Sequence, residues 1–196
     1  ISSDDIYEHI FWHQEKFQNI LNVAPDLKDR TIIFNGVSKA YSMTGWRIGY
    51  AAGNKEIIKK MKTLQSQSTS CASSVSQYAA ISALTQKCEE LPKMNAEYKE
   101  RHDYVVKELN NIPGVTCRET DGTFYVFPSF TKYIEESQKI NNDDELAMYL
   151  LNEGKVAVVP GSAFGMSGHL RLSIALDLKT LEIAMNRIKT TLNNDE

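Results

Sequence analysis

A short apolar run, TIIFN at Thr31–Asn35, leads into the glycine-rich stretch NGVSKAYSMTGWRIGYAAG at residues 35–53. The β-branched residues of the run predict a strand that is buried on both faces of a mainly parallel sheet. A second strand is predicted over Trp46–Ala52, and four of the ten glycines lie around the two strands, which indicates a close approach of the backbone. Lys39 is therefore expected just beyond the end of a buried strand.

Helical periodicity follows these strands. Apolar residues recur at helical spacing from Ile57 to Leu64, and small residues predict a further helix over Cys71–Leu84. Beyond the break at Leu91-Pro92, a long amphipathic helix is predicted from Met94 to Leu109 and ends near the turn at Pro113-Gly114. This alternation of strands and helices favours an α/β fold.

We place a domain boundary at the long helix, with one domain over 1–90 and an α+β domain over 91–196. The elements predicted for the second domain are a hairpin of 115–118 and 123–127 around Asp121-Gly122, a helix over 143–152, strands over 156–159 and 170–175, and a final helix over 178–192.

Charge and cysteine usage exclude several classes of function. Lys plus Arg number 22 against 25 Asp plus Glu, and no basic stripe is present, so nucleic acid is not an expected partner. Cys71, Cys88 and Cys117 form no CxxC pair and the histidines no ligand pattern, which predicts reduced thiols, no metal and a cytoplasmic location. No apolar stretch is long enough for a membrane span. A start at Ile1 indicates a piece of a longer protein.

The stretch around Lys39 is the best candidate for chemistry. Gly36 and Ser38 offer backbone and hydroxyl donors, and Arg47 offers a planar fork that suits a phosphate. These residues predict an anion site with an amine beside it. The alternative is a solvated loop lysine and an arginine on an edge strand.

The run from Gly36 to Gly49 resembles the pyridoxal-phosphate (PLP) attachment signature of the class I and II aminotransferases, and SMTGWRIGYAAG is especially similar to their bacterial aspartate aminotransferase branch. Three further matches lie in the order that the family shows: 4–7 (DDIY), 159–161 (VPG) with 164–165 (FG), and 170–173 (LRLS).

The resemblance implies roles for residues of the cofactor site. Lys39 would form a Schiff base with the cofactor aldehyde, and its freed amine would later move the proton between the substrate Cα and cofactor C4′. Asp4 would pair with the pyridine nitrogen, and Tyr7 would donate to the phenolate oxygen. Asp5 is the other candidate for this ion pair. The alternative role for Asp4 is that of a helix cap. Ser38 and Arg47 would contact the phosphate.

The residues around Arg171 alternate in a way that is typical of a half-buried strand. Apolar residues alternate with smaller or polar ones here: Leu170, Leu172 and Ile174 against Arg171, Ser173 and Ala175. A half-buried strand would therefore place the apolar side chains in a core and Arg171 on the opposite face. The resemblance assigns this arginine to the substrate α-carboxylate. The alternative is an arginine on a surface strand.

The whole resemblance implies the C-terminal portion of a fold-type-I enzyme: the tail of the large PLP domain over 1–90 and the small C-terminal domain over 91–196. Its expected activity is amino-group transfer between an amino acid, aspartate, and a 2-oxo acid, 2-oxoglutarate. The full-length protein is expected to be a homodimer, and this piece alone is expected to have little activity. A PLP-dependent β-lyase and a non-enzymatic aminotransferase-like module are the alternatives.

Overall fold

The chain divides into two compact units, Ile1–Asn95 and Ala96–Glu196. The structure, a computed structural model, describes residues 1–193. The first unit contains β1 (Ser2–Asp4), α1 (Ile20–Val23), β2 (Ile32–Gly36), β3 (Gly49–Gly53), α2 (Lys55–Ser68), α3 (Ser74–Thr85) and the start of α4 (Glu90–Asn110). After α4 come β4 (Tyr125–Val126), α5 (Thr131–Glu136), α6 (Asp143–Asn152), β5 (Val159–Pro160), β6 (Leu170–Ser173) and α7 (Leu178–Asn193). The fold is α/β, as the sequence predicts.

The first unit is built on a three-stranded sheet in the order β1-β2-β3. Strands β1 and β2 run parallel, with Asp4 beside Phe34, whereas β3 is antiparallel to β2, with Gly36 beside Gly49. The carboxyl ends of β1 and β2 therefore meet the amino end of β3 at one edge of the sheet. Asp4 lies at this edge, Lys39 follows β2 there, and Arg47 precedes β3 there.

The predicted close approach of the backbone is that of neighbouring strands. A Cβ added at Gly36 would lie 2.9 Å from the carbonyl oxygen of Ile48, and one added at Gly53 would lie 2.8 Å from that of Thr31. Both distances are shorter than a real Cβ contact allows, so these glycines are required by the packing of β2 against β3.

The second strand begins later than predicted. Residues Thr44–Trp46 form a 3₁₀ turn, Arg47 has a left-handed backbone (φ 55°), and the strand starts only at Gly49. The chain reverses direction between β2 and β3, and this connection includes residues 46–48, which strand propensity predicts as part of the strand. The geometry of the connection therefore outweighs the local propensity.

Two helix starts also differ from the prediction. Helix α3 begins at Ser74 rather than at Cys71. Helix α4 begins at Glu90 and includes Leu91 and Pro92, where the sequence predicts a break. A proline in the first turn is compatible with a helix because the first N–H groups have no partner within the helix.

The second unit has a three-stranded sheet in the order β4-β6-β5, with both pairs antiparallel. Burial alternates along β6 and just beyond it as predicted: Leu170, Leu172 and Ile174 are buried, and Arg171 is only partly exposed on the other face. Fully buried side chains of this unit include Leu109, Phe130, Leu146, Leu150, Leu170, Ile174, Met185 and Ile188. None of the helices within residues 1–193 combines the length and apolarity needed to cross a bilayer.

The hairpin predicted around Asp121-Gly122 is wrong. Thr116 pairs with Ser129 in an isolated bridge, and β4 pairs with β6 instead. The segment before the turn is held by α4 instead: the Asn110 side chain accepts from the Cys117 N–H (2.8 Å) and donates to the Cys117 carbonyl (2.9 Å). The Thr120 N–H, which would close the two-residue turn by donating to Thr123, donates instead to the ring of the buried His102 at 3.0 Å.

We expect Asn110→Ala to destabilise the chain by about 2 kcal/mol, because it leaves the backbone groups of the buried Cys117 without these partners. Urea unfolding measures the difference in the free energy of unfolding. The matched control is Asn111→Ala, at the next, exposed position, which should change stability by less than about 0.5 kcal/mol. Equal losses in the two variants would contradict the role of the Asn110 side chain.

Candidate active site

Residues from three segments lie at the shared edge of the first sheet. Asp4 is the last residue of β1, Lys39 lies three residues beyond the end of β2, and Arg47 lies two residues before β3. Ser38 and Tyr7 lie on the connections beside them. The strand register thus brings an acid, an amine and a guanidinium to one edge.

The turn that carries Lys39 is anchored by apolar side chains on both sides of the lysine. Val37 is fully buried and Ala40 nearly so, whereas Ser38 and Lys39 are partly exposed. Val37 packs in a cluster with Ile48 and with Ala80 of α3. The lysine stem therefore projects from a fixed backbone, while its neighbours hold the turn against the helix layer.

The two adjacent acids have different environments. Asp4 is exposed, and its Oδ1 accepts a hydrogen bond from the Ile6 N–H at 3.2 Å. Asp5 is buried, its Oδ1 accepts from the Ser3 hydroxyl at 2.8 Å, and its Oδ2 has no hydrogen-bond partner among the described residues. Of the two, Asp4 is the carboxylate that is accessible to a ligand, and Tyr7 is partly buried three positions later.

Sequence reasoning missed a polar link between the ends of β1 and β2. The Asn35 side chain donates to Glu8 Oε1 at 2.6 Å and accepts from the Gly36 N–H at 2.7 Å. This link ties the segment after Asp4 to the turn that carries Lys39. The asparagine directly before a glycine at the strand end was the only sequence signal for it.

Two of the five non-glycine residues with positive φ among the described residues lie in the same loop. Ser42 (φ 52°) and Arg47 (φ 55°) both adopt left-handed conformations that non-glycine residues rarely use. The exposed Arg47 guanidinium donates to the carbonyl oxygen of Thr44 at 2.9 Å. Such conformations cost on the order of 1–3 kcal/mol each and cluster at ligand sites.

Two phenols near this edge remain protonated donors. Burial raises the pKa of Tyr41, and the charges of Cys88 and Glu8 raise it further. Burial also raises the pKa of Tyr50, with Glu8 adding to the effect. A neutral phenol can donate a hydrogen bond to an anionic ligand.

Arg171 belongs to the second unit, and its guanidinium is flanked by aromatic rings. The guanidinium carbon lies 4.6 Å from the ring centroid of Tyr125 and 4.6 Å from that of Phe164. Both distances are within the range of cation–π attraction. The sequence noted Phe164 only within a loop motif and did not single out Tyr125, although a period of two along the predicted strand places Tyr125 on the partly exposed face.

Asp143, at the start of α6, holds the loop that carries Phe164. Its carboxylate is buried and accepts from the Ser162 N–H (2.7 Å) and the Gly168 N–H (3.1 Å). Burial acts to raise the pKa of Asp143, but these backbone donors outweigh it, so the pKa is lowered. The sequence predicted Asp143 as a helix start and gave no sign of this second role.

The lowered pKa of Asp143 predicts a pH-dependent stability. The folded state binds this proton less readily than the unfolded state, so the stabilisation is complete above the unfolded pKa of about 3.8 and is lost as the pH falls through the folded value. We expect Asp143→Asn to lower the free energy of unfolding by about 1.5–3 kcal/mol at pH 7. Urea unfolding should show this gap closing toward pH 3, and a gap independent of pH would contradict the assignment.

The sequence of this chain matches those of known proteins. Residues 1–188 match the family described as aminotransferase class I and II. The aspartate/prephenate aminotransferase of Nitrosomonas europaea is 44% identical over 98% of this chain and 50% of its own length. The aspartate aminotransferase of Rhizobium meliloti is 45% identical over 94% of this chain and 46% of its own length. The chain thus spans about half the length of the curated relatives that it matches.

Solved structures agree with the sequence matches. The crystal structure of the aspartate aminotransferase from Rhizobium meliloti superposes with a TM-score of 0.92 at 43% identity, covering 98% of this chain and 49% of that one. An aromatic aminotransferase from Pyrococcus horikoshii gives 0.89 at 34% identity over 98% of this chain and 51% of that one. The family model matches residues 1–188 of this chain, and the chain shares its fold with solved members of the family. This chain therefore belongs to the aminotransferase class I and II family.

Proposed function

We propose that this chain holds PLP and contributes to the transfer of an amino group from aspartate to 2-oxoglutarate. The observation that carries the proposal is the strand register of the first sheet, which brings Asp4, Lys39 and Arg47 to one edge. An acid, a primary amine and a guanidinium match the ring nitrogen, the aldehyde and the phosphate of PLP. The family match and the names of the relatives support the reaction class.

The residues of this edge divide the work at the cofactor. When bound, PLP supplies an aldehyde that condenses with amines and a ring that accepts the electrons left by a departing proton. Lys39 would anchor the cofactor through its amine and, once the substrate amine has displaced it, would move a proton between the substrate Cα and cofactor C4′. Asp4 holds a proton on the ring nitrogen, and Tyr7 donates to the phenolate oxygen.

The phosphate is held by a cation and a hydroxyl. Arg47 is exposed, so its guanidinium has donors available besides the one given to Thr44. Ser38 is partly exposed directly before the lysine and offers its hydroxyl. The left-handed backbone at Arg47 sets where this side chain leaves the loop, and the fixed turn at Val37 does the same for Ser38.

The second unit contributes the substrate arginine. Arg171 binds the substrate α-carboxylate with two parallel hydrogen bonds, which also orient the substrate Cα–H bond. Its place on the partly exposed face of β6 leaves the guanidinium accessible. A planar fork distinguishes a carboxylate from a single point of negative charge.

The same proposal extends to organisation. Residues 1–90 are the C-terminal part of the cofactor domain and 91–196 the small domain, which begins with the long helix α4. The full-length protein is a homodimer. A cytoplasmic location is supported by the three unpaired cysteines, Cys71, Cys88 and Cys117.

The test supplies the part of the family fold that this chain does not span. We expect this chain alone to show little transaminase activity, since it covers about half the length of its relatives. Mixed with the remaining segment of the Rhizobium meliloti aspartate aminotransferase, it should form glutamate from aspartate and 2-oxoglutarate. We call this mixture the complemented enzyme, and the segment without this chain is the control.

Product analysis separates the competing functions. Pyruvate and ammonia from a β-substituted amino acid, without a new amino acid from an added 2-oxo acid, would indicate a β-lyase. Cofactor binding with neither product in the complemented enzyme would indicate a non-enzymatic module. Either result contradicts the proposed transfer.

A further inference from the structure

The aromatic rings beside Arg171 form a structure of their own. Phe164 meets Phe127 edge to face, with centroids 6.1 Å apart at 85°, and Phe127 stacks on His169 at 5.3 Å and 24°. Phe164 is nevertheless 51% exposed, so burial alone does not hold it over the guanidinium. Its position depends on the rings beside it and on the loop that carries it.

That loop is fixed at both ends. The Asp143 carboxylate accepts from the N–H groups of Ser162 and Gly168, on either side of Phe164. The Gly161 N–H donates to the His169 carbonyl at 2.7 Å, which joins the loop to the residue before β6. A Cβ at Gly161 would lie only 2.3 Å from the carbonyl oxygen of Met166, so the loop is closed on itself.

The N–H donors of the Arg171 guanidinium have no hydrogen-bond acceptor among the described residues of the second unit, 96–193. None of these residues forms an ion pair with the Arg171 side chain either, and the guanidinium lies over the rings of Tyr125 and Phe164. An aromatic face satisfies the charge of a guanidinium but not its five N–H donors. The donors therefore remain for a ligand while the rings restrict the orientation of the group.

We propose that Tyr125 and Phe164 are positioning residues for Arg171, and that Asp143 acts through the loop to keep Phe164 in place. The rings hold the guanidinium in the orientation in which its N–H groups can donate to the two oxygens of a carboxylate. This inference rests on the proposed function of Arg171 as the α-carboxylate ligand. It adds that the orientation is set before the substrate arrives, so that less side-chain freedom is lost on binding.

The first test uses this chain without cofactor or substrate. Phenylglyoxal modifies accessible guanidinium groups, and peptide mass spectrometry measures its rate at Arg171. We expect Phe164→Leu to raise this rate about 5-fold and Asp143→Asn to raise it to a smaller extent, because the ring no longer covers the group. Phe164→Tyr keeps the ring and should leave the rate unchanged. Met166→Leu, at an equally exposed position of the same loop, is the matched control.

The second test measures kinetics in the complemented enzyme. Phe164→Leu should raise the KM for aspartate about 10-fold with kcat within a factor of two, since it weakens binding and leaves Lys39 untouched. Phe164→Tyr, which keeps the ring, should have the same KM as the parent. A modification rate that does not respond to Phe164→Leu would overturn the positioning role, even if Arg171→Gln impairs activity. If Arg171→Gln itself leaves the KM unchanged, the carboxylate role of Arg171 fails, and the inference fails with it.

Discussion

Replacing Lys39 with arginine is expected to abolish covalent attachment of PLP to this chain without disturbing its fold. The guanidinium retains the positive charge and much of the length of the side chain, but arginine is not deprotonated in proteins and does not condense with the aldehyde. Lys39 is partly exposed on a turn held by Val37 and Ala40, which the substitution leaves in place. In the complemented enzyme, kcat should fall by roughly 10²–10⁴-fold or more, the range for a lost proton-transfer group.

The measurement is borohydride reduction after incubation with PLP, followed by peptide mass mapping. The parent chain should carry the label on the peptide of Lys39, and Lys39→Arg should carry none there. Lys55→Arg, at the exposed start of α2, is the control and should label at Lys39 like the parent. Label spread equally over surface lysines of the parent, or retained after Lys39→Arg, would sink the assignment.

Replacing Arg171 with glutamine should lower kcat/KM for aspartate by about 10²–10³-fold in the complemented enzyme. Losing one partner of a hydrogen-bonded charge pair costs about 2–5 kcal/mol, and each 1.4 kcal/mol is a factor of about ten. Glutamine cannot form the bidentate pair with a carboxylate. Arg171→Lys should recover only part of the loss because an ammonium is a point charge without the planar fork.

Steady-state kinetics with aspartate and 2-oxoglutarate measure this loss. Arg118→Gln removes an exposed arginine of the same unit and should leave kcat/KM within a factor of two. If Arg171→Gln and Arg118→Gln behave alike, Arg171 is a surface arginine, the alternative that the sequence left open.

The sequence predicted the elements whose patterns are local. The apolar run before Lys39, the periodic helix at 55–68 and the capped helix at 143–152 all appear within a few residues of the predicted bounds. It also predicted the alternation along β6, because a period of two is a property of the strand itself. The hairpin at Asp121-Gly122 failed, because the Thr120 N–H that would close its turn donates to His102 of α4, 18 positions away.

The sequence by itself determined the chemical groups and the family: a lysine after a strand in a glycine-rich loop, and an arginine between two core leucines. Only the tertiary structure decided which groups lie together and how each is held, and it leaves Asp4 exposed while burying Asp5. It also revealed the Asn35–Glu8 link and the loop held by Asp143. The physical reason is that these contacts join residues about 20 or more positions apart, where register and packing, rather than local periodicity, set the distance.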